Sequence, residues 1–202
     1  MLGFMDSTQL FDGVLTRLVA PVMARVNSDT ESAAVAHLAP APNEDVLVIG
    51  FGPGIGLRVL AGVITTGHIA GIDPSQVMHE SARRRNRAAC ERGLIELRQG
   101  RADALPWPDR SFDSVIANNN IQMWEPFKVS VAEVARVLRP GGRFVSFTHE
   151  WAIHRSTGMT TDDWTGQATA VFRDCGLAET RSWRADARSG PSVAFTARRA
   201  AL

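Results

Sequence analysis

The 202-residue chain is long enough for one domain with its own core and too short for two comfortable ones. With 45% apolar and 21% charged residues it excludes wholesale disorder and a fibrous protein, and its formal net charge of +1 gives no global electrostatic case for nucleic acid or membrane binding. Two cysteines, Cys90 and Cys175, support neither a disulfide framework nor a four-ligand metal site, and Met1 to Asp6 lack the basic and apolar regions of a secretory leader, so a cytoplasmic setting without a metal is expected.

Residues 8–38 read as helical, split by Pro21, with a second helix from about Asp29 to Leu38. The segment 39–43 is a stop and short linker. Val46 to Ile72 is apolar enough to mimic a membrane span, but its seven glycines and Pro53 break it into short β-like runs. From there strands and helices alternate. Strands are expected at 46–49, 68–72, 94–98, 112–117 and 143–148, with helices at 55–64, 75–92 and 127–138. After a loop at 149–160, a helix from Asp162 to Cys175 precedes two strands near 178–183 and 192–196, joined by a Ser189-Gly190-Pro191 turn. This order predicts a Rossmann-like, doubly wound, mostly parallel seven-stranded sheet with helices on both faces and an antiparallel C-terminal hairpin. In such a sheet a ligand sits at the carboxyl ends of the strands.

Three stretches at those ends carry chemistry. The first is the loop Gly50-Phe51-Gly52-Pro53-Gly54-Ile55-Gly56, where glycines allow a sharp turn and close backbone approach. It lacks the Gly-Lys-Ser/Thr of a phosphate-binding loop, and the third glycine of a dinucleotide fingerprint would fall at Ile55 or Leu57. Asp73, ending the second strand, can accept two hydrogen bonds from a ribose diol, and either Asp73 or Ser75 can cap the next helix. Asp103, in the connection between the third and fourth strands, can accept from an exocyclic amine while the next backbone N–H donates to a ring nitrogen, a pair that reads an adenine edge; it can equally be an ordinary turn residue.

Taken together, the glycine loop, Asp73-Pro74-Ser75 with Met78, Asp103-Ala104-Leu105-Pro106-Trp107, Ser111-Phe112-Asp113 and Glu133 to Gly142 resemble the class I S-adenosylmethionine-dependent methyltransferases, in the compact small-molecule type related to quinone-biosynthesis methyltransferases. The resemblance covers about residues 45–148. It implies that Gly50, Phe51, Gly52, Gly54 and Gly56 face the methionine part of S-adenosylmethionine and that Asp73 holds the ribose. Pro74 and Met78 then lie by the adenine, Asp103 and Ala104 meet its edge, and Asn118 binds the amino group. One position departs from the pattern: the family often has an acid two residues before its first loop glycine, and this chain has Val48.

The expected reaction is methyl transfer to a small molecule, with secondary metabolism as one setting. His149 and His154 are the candidate bases, because histidine titrates near neutral pH. Asn119, Asn120 and Gln122 are candidates to orient a polar acceptor, and Trp124 and Trp151 to wall it. The sequence after the fourth strand, Asn118-Asn119-Asn120-Ile121, lacks the motif common in amino-methyltransferases acting on bases, and the Arg83 to Arg87 run reads as a solvated helix face. Without an inserted cap domain, residues 1–40 serve as a helical lid on the cofactor domain 41–202, and the site is either open or completed by a second copy in a homodimer. The alternative reading is a binding or scaffold subunit of this fold that no longer methylates.

Overall fold

The structure, a computed structural model, describes residues 29–187 and 190–201. The helix expected upstream of residue 29 lies outside the described residues. Residues 29–38 form α1, and the elements that follow are β1 (Asp45–Ile49), α2 (Ile55–Leu60), β2 (His68–Asp73), α3 (Gln76–Arg85), α4 (Arg87–Glu91) and β3 (Ile95–Gln99). After β4 (Phe112–Ile116) and a 3-10 turn at Ile121–Met123 come α5 (Phe127–Val137), β5 (Leu138–His149), α6 (Glu150–Thr157) and α7 (Thr161–Asp174). The last two elements are β6 (Leu177–Ala187) and β7 (Gly190–Arg199).

One seven-stranded sheet runs β3-β2-β1-β4-β5-β7-β6. The first five strands pair in parallel, and β7 runs antiparallel to both β5 and β6. Because successive strand residues face opposite sides, β1 feeds two cores. Leu47 and Ile49 pack with Val131 and Val134 of α5 and Trp164 and Phe172 of α7. Val46 and Val48 pack with Val35 and Leu38 of α1, Leu57 and Leu60 of α2, and Ala82 of α3. The result is the three-layered α/β arrangement expected from the alternation.

Several boundaries differ from the sequence reading. The helix expected over 75–92 is two helices. The buried Asn86 interrupts it, donating from Nδ2 to the Ala82 carbonyl at 2.9 Å and to the Gly54 carbonyl at 3.0 Å. A side-chain amide offering these bonds competes with continuation of the helix. Residues 139–142, expected as a turn, bulge within β5, since Phe112 pairs with Leu138 while Ser114 pairs with Arg143. The expected 149–160 loop is largely α6. It buries only Ala152 and Ile153, too few apolar positions to show a helical period, and carries Glu150 in its first turn and His154 and Arg155 in its last, where they complement the helix dipole.

At the end of the sheet opposite the glycine loop, charge ties the strand starts together. Arg143 on β5 reaches the Leu38 carbonyl at 2.7 Å and the Glu44 carboxylate at 2.5 and 2.6 Å. Arg139 bridges Asp113 and Asp45 beside it. Replacing Arg143 by alanine leaves Glu44 part-buried without its cation. We expect Arg143→Ala to lower the free energy of unfolding by about 2–3 kcal/mol. Urea denaturation checks this, and an unshifted midpoint would mean that the pair contributes nothing.

Candidate functional site

β1 lies between β2 and β4. The chain leaves it toward β2 and β3 on one side and returns to β4 on the other. Where connections part in this way, the carboxyl ends of the strands leave a crevice. Here that crevice is a cleft of about 1160 Å³, part of it open to solvent. It is lined by the loops after β1 (Gly50 to Pro53), β2 (Asp73 to Ser75), β3 (Gly100 to Asp103) and β4 (Asn118 to Asn120), with Glu31, Ile55, Met78 and Met123 to Glu125 among its other walls.

The glycines do separate jobs. Gly54 has φ +81° and ends the loop as the N-cap of α2; a Cβ there would lie 2.8 Å from Ala82 Cβ, so glycine lets α3 pack against the loop. A Cβ at Gly50 would lie 2.8 Å from Asn120 Cγ. A Cβ at Gly52 would meet nothing within 4 Å, and Gly52 does line the cleft. Gly54 and Gly56 lie behind the loop, outside the cleft lining.

Asp73 is buried between the loop and α3. Its Oδ2 accepts from Gly52 N at 2.8 Å and its Oδ1 from Ser75 N at 2.9 Å. Ser75, not Asp73, caps α3, accepting from Met78 N. A carboxylate offers about four acceptor sites, so these two bonds do not exhaust Asp73. Pro74 and Met78 add an apolar wall.

Asp103 faces the cleft and accepts from Arg101 Nε at 3.1 Å. Ala104 is exposed and outside the lining, whereas Ala102 lies within it. This loop is held from behind by α5. Arg136 donates to the carbonyls of Trp107 (2.8 Å) and Leu105 (3.0 Å), to Asp109, and to both oxygens of Glu133. Glu133 in turn accepts from Leu105 N at 2.8 Å. The Arg136 hydrogen bond holds the Glu133 carboxyl below the usual carboxylate range.

Beyond β4, Asn118 and Asn119 each tie α1 to β5, and Asn120 ties β1. Asn118 Oδ1 accepts from Phe147 N at 2.9 Å, while its Nδ2 donates to Glu31 at 3.0 Å. Asn119, at φ +55°, donates to Thr30 Oγ1 and accepts from His149 N. Asn120 Nδ2 donates to the carbonyls of Ile49 and Asn118, both at 2.8 Å. All three line the cleft, and Trp124 closes one side.

Other candidates sit elsewhere. β5 runs on to His149, which pairs with Ser192 of β7, so the ring is only 1% exposed, with Nδ1 2.9 Å from Ser192 Oγ. Burial lowers its pKa, leaving the ring neutral at pH 7. His154 is exposed on α6, its Nε2 3.0 Å from Thr161 Oγ1. Trp151 is 55% exposed and stacks on His149. Gln122 is buried behind the cleft and donates to the Asn119 carbonyl at 3.1 Å. The structure therefore places His149, His154, Trp151 and Gln122 outside the cleft lining. The roles expected of His149, His154 and Trp151 assumed a loop where β5 and α6 continue, whereas the 3-10 turn at Ile121–Met123 turns Gln122 inward onto the Asn119 carbonyl.

The sequence reading passed over Glu31. It is 9% exposed, lines the cleft, and has its carboxyl pushed up to about 7 by burial, an effect that the Asn118 hydrogen bond partly offsets. Its signal was an acid on an apolar helix stripe, four residues before Val35 and seven before Leu38.

These groups fit S-adenosylmethionine. A buried carboxylate stands at the end of β2 for a diol, a second beyond β3 for an exocyclic amine, and apolar walls flank a flat ring. At the far end, buried Asn120 Oδ1 has no hydrogen-bond partner among the described residues, and Glu31 adds a carboxylate suited to a cation. Among the described residues no cluster of three His, Cys, Asp or Glu side chains could hold a metal ion.

Residues 47–146 match the family described as a methyltransferase domain. The demethylmenaquinone methyltransferase of Symbiobacterium thermophilum is 36% identical over 105 residues, which cover 52% of this chain and 42% of that protein. The fatty-acid O-methyltransferase of Mycolicibacterium smegmatis is 40% identical over 100 residues, 50% of this chain and 35% of that protein. The chain thus spans less than half the length of either. Among solved structures, the methyltransferase in complex with the Haloferax volcanii Trm112 methyltransferase activator superimposes with a TM-score of 0.78 at 20% identity, covering 98% of this chain and 99% of that one. At this identity the likeness concerns the fold.

Two outcomes follow from the site's supports. Arg136→Ala frees the loop carrying Asp103, so both stability and ligand affinity fall, the former by about 2–4 kcal/mol. Lysine does not restore it, because a point charge cannot make the forked contacts. Glu133, held low in the fold, contributes stability at neutral pH that is lost as pH falls through its depressed pKa; that acid dependence disappears in the variant. Glu31 works in the opposite sense. Its raised pKa makes the ligand-free protein lose stability as pH rises from about 4.5 to about 7. Glu31→Gln is expected to be more stable than the parent at pH 8, by about 3 kcal/mol, and equal to it near pH 4. Paired thermal melts across pH check both.

Proposed function

We propose that this chain, which belongs to the class I S-adenosylmethionine-dependent methyltransferase family, moves a methyl group from that cofactor to a small-molecule acceptor. The observation that carries the reading is the cleft at the β1/β4 parting, where Asp73, Asp103 and the glycine loop converge. When bound, the cofactor supplies an activated methyl on a sulfonium, so the protein's task is proximity and orientation. Asp73 holds the ribose, Asp103 the adenine amine, Pro74 and Met78 the ring faces, and Gly50 to Gly52 with Asn118 the amino-acid end.

The acceptor's side of the cleft is the wall formed by Asn119, Met123, Trp124 and Ser130. An apolar wall edged by an amide suits a small, partly apolar molecule. No histidine lines the cleft among the described residues. The acceptors that fit best therefore need alignment more than a base, such as a carboxylate, an acidic phenol or an amine. The relatives named demethylmenaquinone methyltransferase and fatty-acid O-methyltransferase support a small-molecule acceptor. Within residues 1–40, the described helix α1 acts as a cover. Support comes from α1, where Thr30 and Glu31 bond the asparagines after β4.

Calorimetric titration with S-adenosylmethionine and S-adenosylhomocysteine is the first test, followed by transfer of labelled methyl to a panel of small acceptors. Asp73→Ala is expected to weaken both cofactor forms more than tenfold, the worth of about 1.5–3 kcal/mol for a hydrogen bond to a charged group. An unchanged dissociation constant in a folded variant would refute the assignment.

A further inference from the structure

We infer that Glu31 of α1 supplies the carboxylate that holds the ammonium at the amino-acid end of the cofactor. The inference rests on the reading of the cleft as an S-adenosylmethionine site and assigns a residue to its least explained end.

Glu31, Val35 and Leu38 share one face of α1. Val35 and Leu38 lie in the apolar layer with Val46 and Val48 of β1. Val48 is thus wholly committed to packing, and β1 offers no acid on that face. One helical turn before Val35, the same stripe passes beyond the carboxyl end of β1, and there the side chain is Glu31, lining the cleft.

Two features show that the carboxylate is seated there. A Cβ on Gly56 would collide with Glu31 Oε2, so glycine at 56 leaves the space in which the carboxylate lies against α2. Asn118 is oriented by its neighbour: its Oδ1 must accept from Phe147 N, which turns Nδ2 toward Glu31. A neutral amide donor alone does not offset burial of a carboxylate. No arginine, lysine or histidine among the described residues forms an ion pair with Glu31. Elsewhere on the elements around it, His37 packs on Trp183, Arg143 is held by Glu44, and Arg58 lies on the exposed side of α2. In the cleft, Arg101 pairs with Asp103 and bonds the Glu125 carbonyl, and the remaining charged walls, Asp73 and Glu125, are acids. The missing positive charge is therefore one that a ligand brings. Asp73 and Asp103 lie toward the nucleoside end, so the cationic group at Glu31 belongs to the opposite end, where the Asn118 carbonyl gives an ammonium a second acceptor.

The test compares S-adenosylhomocysteine with 5′-methylthioadenosine, which keeps the nucleoside and thioether but lacks the ammonium. Both are titrated by calorimetry into the full chain and into Glu31→Gln, an isostere that preserves the Asn118 bond. The expected result is a loss of about tenfold or more for S-adenosylhomocysteine and a change within about twofold for methylthioadenosine. Equal effects on both ligands, or none on either, would overturn the inference. So would lost turnover with an unchanged ratio of affinities, which would make Glu31 a proton acceptor instead. If the parent binds neither ligand, the cofactor reading itself fails. Should the variant not fold, the parent alone decides. Its preference for S-adenosylhomocysteine over methylthioadenosine is expected to rise between pH 5.5 and 8 as Glu31 ionises, and a flat ratio would overturn the inference. His149, whose pKa burial lowers, touches the cleft only through Asn119, so its effect falls on both ligands alike and cancels in the ratio.

Discussion

The molecule is organised around one amide. Asn120 Nδ2 donates to the last carbonyl of β1 and to the carbonyl of Asn118, two residues beyond β4, pinning together the two strand ends at which the connections part. A parting of this kind leaves backbone groups without ladder partners, and a buried carbonyl without a donor is costly. Asn120 satisfies two of them at once, so neither the Ile49 nor the Asn118 carbonyl is left unpaired beside the crevice. The close approach explains Gly50, whose missing side chain makes room for the amide. It also explains Asn119, held at positive φ so that the chain can bring three consecutive amides to bear on three different elements.

The fold was legible because its cause is local. Short β-branched runs ending in glycine or aspartate read as buried parallel strands, and the five parallel strands and the order of helices fell where hydrophobic period and glycine placed them. Part of the cleft lining was legible for the same reason, since Gly50, Asp73 and Asp103 each close a strand or follow one. The elements that escaped are those whose cause lies elsewhere in the chain. The break at Asn86 depends on the Gly54 carbonyl, 32 residues earlier. The continuation of β5 through His149 depends on β7, more than 40 residues later. Glu31 meets Asn118 across 87 residues, so its burial follows from no local pattern. The Glu133 to Gly142 stretch was visible as a motif without a visible reason. The reason is Arg136, which fastens the Asp103 loop from behind.

Charge is distributed unevenly between the two ends of the sheet. At the strand starts, Arg139 and Arg143 are matched by Asp45, Asp113 and Glu44. At the carboxyl ends, a buried acid stands without a cation among the described residues. Cofactor sites often carry such local costs, which the rest of the fold must offset. In this chain the offset is spatially separate: the matched ion pairs brace the end of the sheet opposite the cleft.

The position of β7 bears on how the protein is made. A ribosome delivers β6 before β7, yet β6 joins the sheet only through β7, which is itself the outer partner of β5. Until residues 190–199 leave the exit tunnel, the nascent chain carries an open edge on β5 and an unpaired β6, both able to pair with another chain. The five parallel strands can assemble early, but the finished sheet awaits an interior strand synthesised last. Chaperone dependence and inclusion-body formation during rapid overexpression should therefore respond strongly to changes in β7.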